Sequence, residues 1–327
     1  MRSRMRSGPA RRLAVPIALL AAWVAGSTLG ASPSARPARA TPLFQIEAAH
    51  AEHVPALDGS EPIYVLVLGS DARPGEEIAG QRADSIHLVG INPAKGKATI
   101  VGFPRDSYVP IPGVGTNKIN AAMVNGGPDL VVHTVEQLTG VTIDYWALTW
   151  FEGFEAMVND VGGLNVNVPF DVFDSFAHAQ IEAGEQVLDG RTALAFARAR
   201  HALPTGDFGR SENQGRLMVA ALTQFRREFG KDPARLFVWI GALLRNSQTS
   251  VPFDELVTLA FTGTQVNPKR IQNIVVPGSN AMVGGTAVVM LNQTALDAIS
   301  RDLRNDGLVS SRNAPPSPTA ELTDAAA

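Results

Sequence analysis

The sequence predicts a single α/β domain, with helices packed on a twisted central mixed β-sheet, carried behind one N-terminal transmembrane helix. Three observations predict it. Apolar runs of strand length, such as Ile63-Tyr64-Val65-Leu66-Val67-Leu68, intermingle with segments of helical period and show no strict β-α-β repeat. A stretch of nineteen residues without a charge, Leu13 to Ala31, follows a cluster of arginines. The chain of 327 residues is 45% hydrophobic and 18% charged, enough to bury one full core with tails at its ends.

Residues 1–12 form a basic segment with Arg2, Arg4, Arg6, Arg11 and Arg12. As a helix, 13–31 would span roughly 28 Å at about 1.5 Å per residue, close to a hydrocarbon thickness of about 30 Å. The arginines hold its first end in the cytoplasm and place the remainder outside. A cleaved signal peptide is the alternative, because Ala38-Arg39-Ala40 offers a small-x-small site. The apolar run exceeds the usual signal core of roughly 7–15 residues, which favours a single-pass anchor in the cell membrane. Either reading exports the domain. Residues 32–61, rich in Ala, Pro and Ser, read as a stalk.

The domain is expected over 62–305. Its first strand ends at Gly69 and is apolar on both faces. Ser85–Ile91 and Ala98–Phe103 read as a hairpin, since Pro93 and Gly96 supply turn chemistry between them. Helices follow over 117–125 and 128–138, the second opened by Pro128 and closed by Gly140. Then come a strand over 143–148, a helix over 151–161 and an alternating strand over 164–168. A long helix is expected over 208–229, with further helices near 233–244, 253–261 and 293–303. From 306 to 327 the composition predicts a disordered tail.

With no cysteine there is no disulfide, thiolate metal site or cysteine nucleophile. Residues 1–40 hold seven arginines and no acid, so the remainder carries 21 basic against 31 acidic side chains. A domain with that balance lacks the basic surface a nucleic-acid partner requires. The motifs of P-loop nucleotide hydrolysis, HExxH zinc proteolysis and GxSxG hydrolase chemistry are also missing.

Charged residues collect at element ends. Gly69-Ser70-Asp71-Ala72-Arg73 follows the first strand, and Arg82-Ala83-Asp84-Ser85 opens the second. If those strands pair, Asp71 and Asp84 meet at one sheet end and offer oxygens to a hard cation such as Mg²⁺; otherwise they cap turns or pair with Arg73 and Arg82. Phe103-Pro104-Arg105-Asp106 lies at another strand end, with Lys118 nearby. Arg198 and Arg200 are two apart, and an extended backbone would turn both to one face. Arg210 and Gln214 share a helical face. Up to seven cations, Arg73, Arg82, Arg105, Lys118, Arg198, Arg200 and Arg210, could thus surround a multiply charged anion such as a pyrophosphate.

The succession VLVLGSDAR, RADS, FPRDSYVPIPG, NKINAA, GGPDL, FEGF, VGGLNV, LDGRTALAFARAR and GDFGR, spread over 62–222, resembles the LytR-CpsA-Psr family in motif and in order. The resemblance implies a single α/β domain on one membrane anchor. It implies Mg²⁺-dependent transfer of a phosphate-linked glycopolymer from a polyprenyl pyrophosphate carrier to a peptidoglycan hydroxyl, outside the membrane. By the same match Asp71 and Asp84 bind the metal. Arg73, Arg82, Arg105, Lys118, Arg198, Arg200, Arg210 and Gln214 belong to the pyrophosphate-binding and catalytic set, with Arg105 and Arg200 foremost. Asp84 or Asp106 is a possible general base. A lipid tail would need an apolar groove between sheet and helices, with parts of 128–161 expected as its lining, although the same residues read more readily as core. Two other functions fit the sequence: a lipid pyrophosphatase using the same site, and a non-catalytic envelope protein that binds or regulates glycan.

Overall fold

The computed structural model describes residues 61–320 and 322. The basic segment, the anchor expected over 13–31 and nearly all of the expected stalk lie outside the described residues. Among the described residues no helix is long and apolar enough to cross a membrane.

The chain runs β1 (Ile63–Ser70), β2 (Ala83–Asn92), β3 (Lys97–Gly102), β4 (Tyr108–Ile111), β5 (Gly115–Lys118), α1 (Ala121–Thr139), β6 (Tyr145–Trp150) and α2 (Phe151–Asp160). It continues through β7 (Leu164–Val168), β8 (Val172–Asp174), β9 (Ala179–Ile181), β10 (Gly184–Leu188), α3 (Gly190–Arg198) and α4 (Asp207–Lys231). Then come α5 (Arg235–Asn246), β11 (Gln248–Thr249), α6 (Phe253–Gln265), β12 (Ile271–Val275), β13 (Gly278–Val283), β14 (Thr286–Leu291) and α7 (Gln293–Asp306). Six strands form the central sheet in the order β11-β6-β1-β2-β3-β12. It is mixed: β1 with β6 and β3 with β12 are parallel, and the remaining pairs are antiparallel.

The alternation within β1 explains its central place. Tyr64, Leu66 and Leu68 enter a core shared with α1 and α7, whereas Ile63 and Val65 pack with α4, α5 and α6 on the other face. A strand buried on both sides needs an unbroken apolar run, which Ile63–Leu68 supplies. A third apolar cluster joins α2 and α3 to the strands β7–β10.

Two expectations need correction and one is borne out. Residues 117–118 are not helical: Gly115–Lys118 pairs with Tyr108–Ile111 as a hairpin, so Lys118 ends a strand. The helical break expected before Pro128 is present as non-helical Gly126 and Gly127 inside α1. Residues 307–320, read as the start of a disordered tail, are held in place. The buried carboxylate of Glu212 accepts from Ser317 Oγ at 2.5 Å, Thr319 Oγ1 at 2.7 Å and Thr319 N at 3.2 Å. Composition had no means of anticipating a buried acceptor on α4 that turns a polar, proline-rich segment into a docked one.

The sheet and Gly307, which caps the end of α7, approach closely at Gly90, where a Cβ would stand 2.3 Å from the Gly307 carbonyl oxygen. Backbone on both sides leaves little room to give. Gly90→Ala is expected to lower unfolding stability by about 2 kcal/mol, measured by urea denaturation.

Candidate active site

Antiparallel pairing brings the acid clusters together. Because β1 and β2 run in opposite senses, with Ser70 opposite Ala83, the end of one strand and the start of the next share a sheet edge. Asp71 N–H donates to the Arg82 carbonyl at 3.0 Å, and Arg82 N–H donates to Asp71 Oδ1 at 3.0 Å. Burial, then the nearby charge of Asp84, raises the Asp71 pKa. The loop after β3 delivers Arg105 to the same edge, where its Nη1 donates to Asp84 Oδ1 at 2.5 Å.

From Arg105 the charged network extends in two directions. Asp106 stands 3.9 Å from Arg105 Nε and 3.2 Å from Lys118 Nζ. In the first turn of α4, Asp207 Oδ1 lies 3.3 Å from Arg200 Nη1 and 3.2 Å from Arg210 Nη2. Burial opposes the charge of Asp207, yet Arg210, Arg105 and Arg200 hold its pKa below the ordinary value. Burial likewise works against Arg105, but Asp84, Asp106 and Asp207 outweigh it and raise its pKa. For Arg210, burial prevails and lowers the pKa. A guanidinium remains protonated at any physiological pH under either shift. Arg105 Nε is buried without a hydrogen-bond partner, a donor left for an anion.

Gln214, one helical turn after Arg210, donates from Nε2 to the Ala197 carbonyl at 3.1 Å and to that of Asp84 at 3.4 Å. Arg82 is exposed and lines a cleft of about 580 Å³ with Arg105, Asp106 and Lys118. Arg73 is exposed on the loop after Asp71, and its N–H donates to Glu76 Oε2 at 2.8 Å. Of the seven expected cations, Arg105, Lys118, Arg200 and Arg210 form the network's ion pairs among the described residues, and Arg73, Arg82 and Arg198 do not.

The expected parallel display of Arg198 and Arg200 is corrected. Arg198 is the last residue of a helix, where positions two apart diverge by roughly 200° around the axis. Its guanidinium lies 4.6 Å from the centre of the Phe151 ring, at the wall of an apolar cavity. Arg200 instead faces a separate, wider cleft.

The apolar cavity, about 290 Å³, lies between β1 and β6 and the helices α2–α5. Val67, Phe151, Phe154, Leu194, Leu217 and Met218 are among its lining, and its charged members are Asp84, Arg198 and Arg210, with Gln214 beside them. Of the span expected to line a groove, 147–161 contributes and 128–139 does not, because α1 packs on the other sheet face.

Two contributors were not singled out by the sequence. Asp207 sits inside the GDFGR motif, but an acid beside arginines reads as a local pair until the fold shows it bridging two of them. His87, fully buried on β2, links the sheet to α4: its Nε2–H donates to the Ser211 carbonyl at 3.0 Å, and Nδ1 accepts from Ser85 Oγ at 3.0 Å. A lone histidine in an apolar strand carries no signal of that role.

Among the described residues no group of three or more acidic, histidine or cysteine side chains is placed to hold a metal. Asp71 and Asp84 form a pair in which one oxygen each is engaged by Arg82 N–H and Arg105. Their mutual repulsion is what a cation would relieve, and two carboxylates with substrate phosphates suffice for Mg²⁺.

The model of the LytR_cpsA_psr family matches residues 38–305. The polyisoprenyl-teichoic acid–peptidoglycan teichoic acid transferase TagT of Bacillus subtilis (strain 168) is 30% identical over 256 residues, covering 76% of this chain and 78% of its own. The crystal structure of B. subtilis TagV superposes with a TM-score of 0.65 at 29% identity, over 75% of this chain and 96% of that one. A LytR-CPS2A-psr family protein, YwtF (TagT), with bound octaprenyl pyrophosphate lipid, matches with a TM-score of 0.59 at 26% identity, over 76% of this chain and 91% of that one.

Burial depresses the His87 pKa from 6.5 to about 4. Between those values the unfolded chain binds a proton that the folded one does not. The stabilisation is therefore complete above pH 6.5 and lost as pH falls toward 4, a change of about 3 kcal/mol. Urea denaturation at pH 7 and pH 4 should show this component, and His87→Gln should remove it. Asp207→Ala, which strips Arg200 and Arg210 of their shared carboxylate, should cost about 3 kcal/mol in thermal denaturation.

Proposed function

We propose, on the premise that this chain belongs to the LytR-CpsA-Psr family, that it transfers a phosphate-linked glycopolymer from a polyprenyl pyrophosphate carrier to a peptidoglycan hydroxyl. The observation that carries the reading is the junction of an apolar cavity with a guanidinium-rich edge, at Asp84, Arg198, Arg210 and Gln214. A ligand that satisfies both halves has a long apolar chain ending in a multiply charged head. The solved relative with bound octaprenyl pyrophosphate lipid and the naming of TagT as a polyisoprenyl-teichoic acid–peptidoglycan transferase support it.

Charge balance suits a diphosphate. Arg82, Arg105, Lys118, Arg198, Arg200 and Arg210 line the cavity and the clefts around it, whereas the acids among them are Asp71, Asp84, Asp106 and Asp207. Two positive charges remain over. Phosphoryl transfer depends mainly on positioning and on neutralising equatorial oxygens, and planar guanidiniums do both.

In the proposed reaction the acceptor hydroxyl oxygen attacks the phosphorus that carries the glycan. The bond from that phosphorus to the bridging oxygen breaks, and polyprenyl phosphate leaves with the electron pair. Arg105, whose buried Nε lacks a partner, and Arg200 hold the phosphoryl oxygens. Arg210 and Arg198 hold the lipid-side phosphate at the cavity mouth, and Gln214 fixes their distance from Asp84. Lys118 and Arg82 extend the anion site along the neighbouring cleft, with Arg73 at its edge. Asp106 takes the hydroxyl proton, because Asp84 is committed to Arg105 and to the metal. Asp71 and Asp84 would hold Mg²⁺, which when bound supplies charge neutralisation on the diphosphate. With 13–31 as an anchor, the domain works on the outer face of the membrane, where lipid carrier and wall meet.

Full-length protein in vesicles with a polyprenyl-pyrophosphate-linked glycan, peptidoglycan and Mg²⁺ should give wall-linked glycan. Asp71→Asn and Arg105→Ala should each reduce the rate by about 100-fold or more, and chelation should stop it. Full activity in both variants would overturn the site, and free phosphoglycan as the product would replace transfer by hydrolysis.

A further inference from the structure

The wide cleft beside the charged network, about 1120 Å³, is not needed to hold the carrier lipid. Its relation to the apolar cavity is set by one bridge. Asp207 Oδ1 contacts both Arg200 and Arg210; Arg210 lines the apolar cavity, while Asp207 and Arg200 line the wide cleft. The ion bridge is therefore a partition with the lipid space on one side and the wide cleft on the other. In phosphoryl transfer the attacking and leaving oxygens lie roughly in line through phosphorus. A leaving group drawn toward the lipid cavity requires a nucleophile from the opposite side.

The two open clefts also differ in charge. Both reach Asp106, and the β13–β14 hairpin stands between them, fixed by the Val289 N–H donating to the Asp106 carbonyl at 2.8 Å. The smaller cleft presents Arg82, Arg105 and Lys118 against one acid. In the wide cleft Arg200 is balanced by Asp106 and Asp207, and the other lining includes Phe208, Ser279 and Asn280. One cation against two acids gives this cleft no excess of positive charge to offer a phosphate, and a largely apolar lining with an aromatic ring, interrupted by Ser279, Asn280, Ser317 and Thr319, suits the mixed apolar and hydroxyl faces of an uncharged sugar polymer.

Its outer wall is residues 315–320, which Glu212 holds through Ser317 and Thr319. This wall lies beyond residues 38–305, the span that the family model matches.

We infer that the wide cleft is the acceptor site, taking an uncharged glycan strand with a free hydroxyl, and that the docked C-terminal segment is a specificity-determining wall of that site. The inference rests on the transfer reading for the word acceptor; the glycan site itself does not.

Soluble peptidoglycan fragments titrated into the full chain test the cleft directly, apart from transfer. Asn280 is exposed, so Asn280→Trp fills the cleft without disturbing the core. It should abolish fragment binding and raise the acceptor KM about tenfold or more at near-constant kcat, with octaprenyl pyrophosphate affinity unchanged. Thr319→Val, which removes a hydroxyl held by Glu212, should weaken fragment binding in the same direction by loosening the wall. Unchanged fragment binding in both variants would overturn the inference, as would a loss of octaprenyl pyrophosphate affinity in place of fragment affinity. Wild-type protein that binds fragments but forms no wall-linked product would defeat the transfer reading and leave the glycan site standing.

Discussion

Asp84 holds Arg105 at 2.5 Å, and Asp207 stands within 3.3 Å of both Arg200 and Arg210. Without those carboxylates three guanidiniums would face one another in a half-buried space, where like charges are poorly screened and desolvation adds to their cost. The acids make the cluster compatible with folding and still leave a surplus of positive charge. An anion that enters meets donors already aimed, and the protein has little left to reorganise. The acidic balance of residues 41–327 is consistent with this arrangement, since positive charge is concentrated in one place and diluted elsewhere.

Topology does the rest of the gathering. A short antiparallel excursion returns the chain from Ser70 to Ala83, and another takes it from β2 into β3, so the end of β1, the start of β2 and the end of β3 meet at one edge. The opposite wall is the start of α4. It is held against the sheet by His87, whose neutral ring spans Ser85 on the strand and Ser211 on the helix. The approach is close: at Gly102 a Cβ would lie 2.3 Å from Ser211 Oγ. Register between α4 and the sheet sets how far Arg210 and Gln214 stand from Asp84.

Much of this was legible in the chain. The apolar run of β1, the hairpin β2–β3 and the break at Gly126-Gly127-Pro128 follow from periodicity and turn chemistry, and the family motifs named nearly all the charged residues. Three things were not legible. Strands β12, β13 and β14 are short and partly polar, and β12 is recruited only because the edge of β3 is free to pair. Arg198 and Arg200 looked like neighbours on a strand because a two-residue spacing carries no information about the backbone that bears it. The residues around Trp150 to Val161 have the composition of a core, and a cavity differs from a core only in what the other elements fail to fill.

An apolar cavity beside desolvated cations is an unfavourable place to leave empty. Its lining forgoes dispersion contacts, and Arg210 keeps its charge against the pull of burial. On the transfer reading, one ligand relieves both: its chain fills the void and its diphosphate compensates the arginines. Neither part alone would do so, because a free diphosphate leaves the cavity unfilled and a neutral lipid leaves the cations uncompensated. Selectivity for an amphiphilic carrier then follows from the adjacency of the two features, with the bridge at Asp207 holding them a fixed distance apart. A bridge that also faces the wide cleft ties carrier recognition to the side from which a hydroxyl must come.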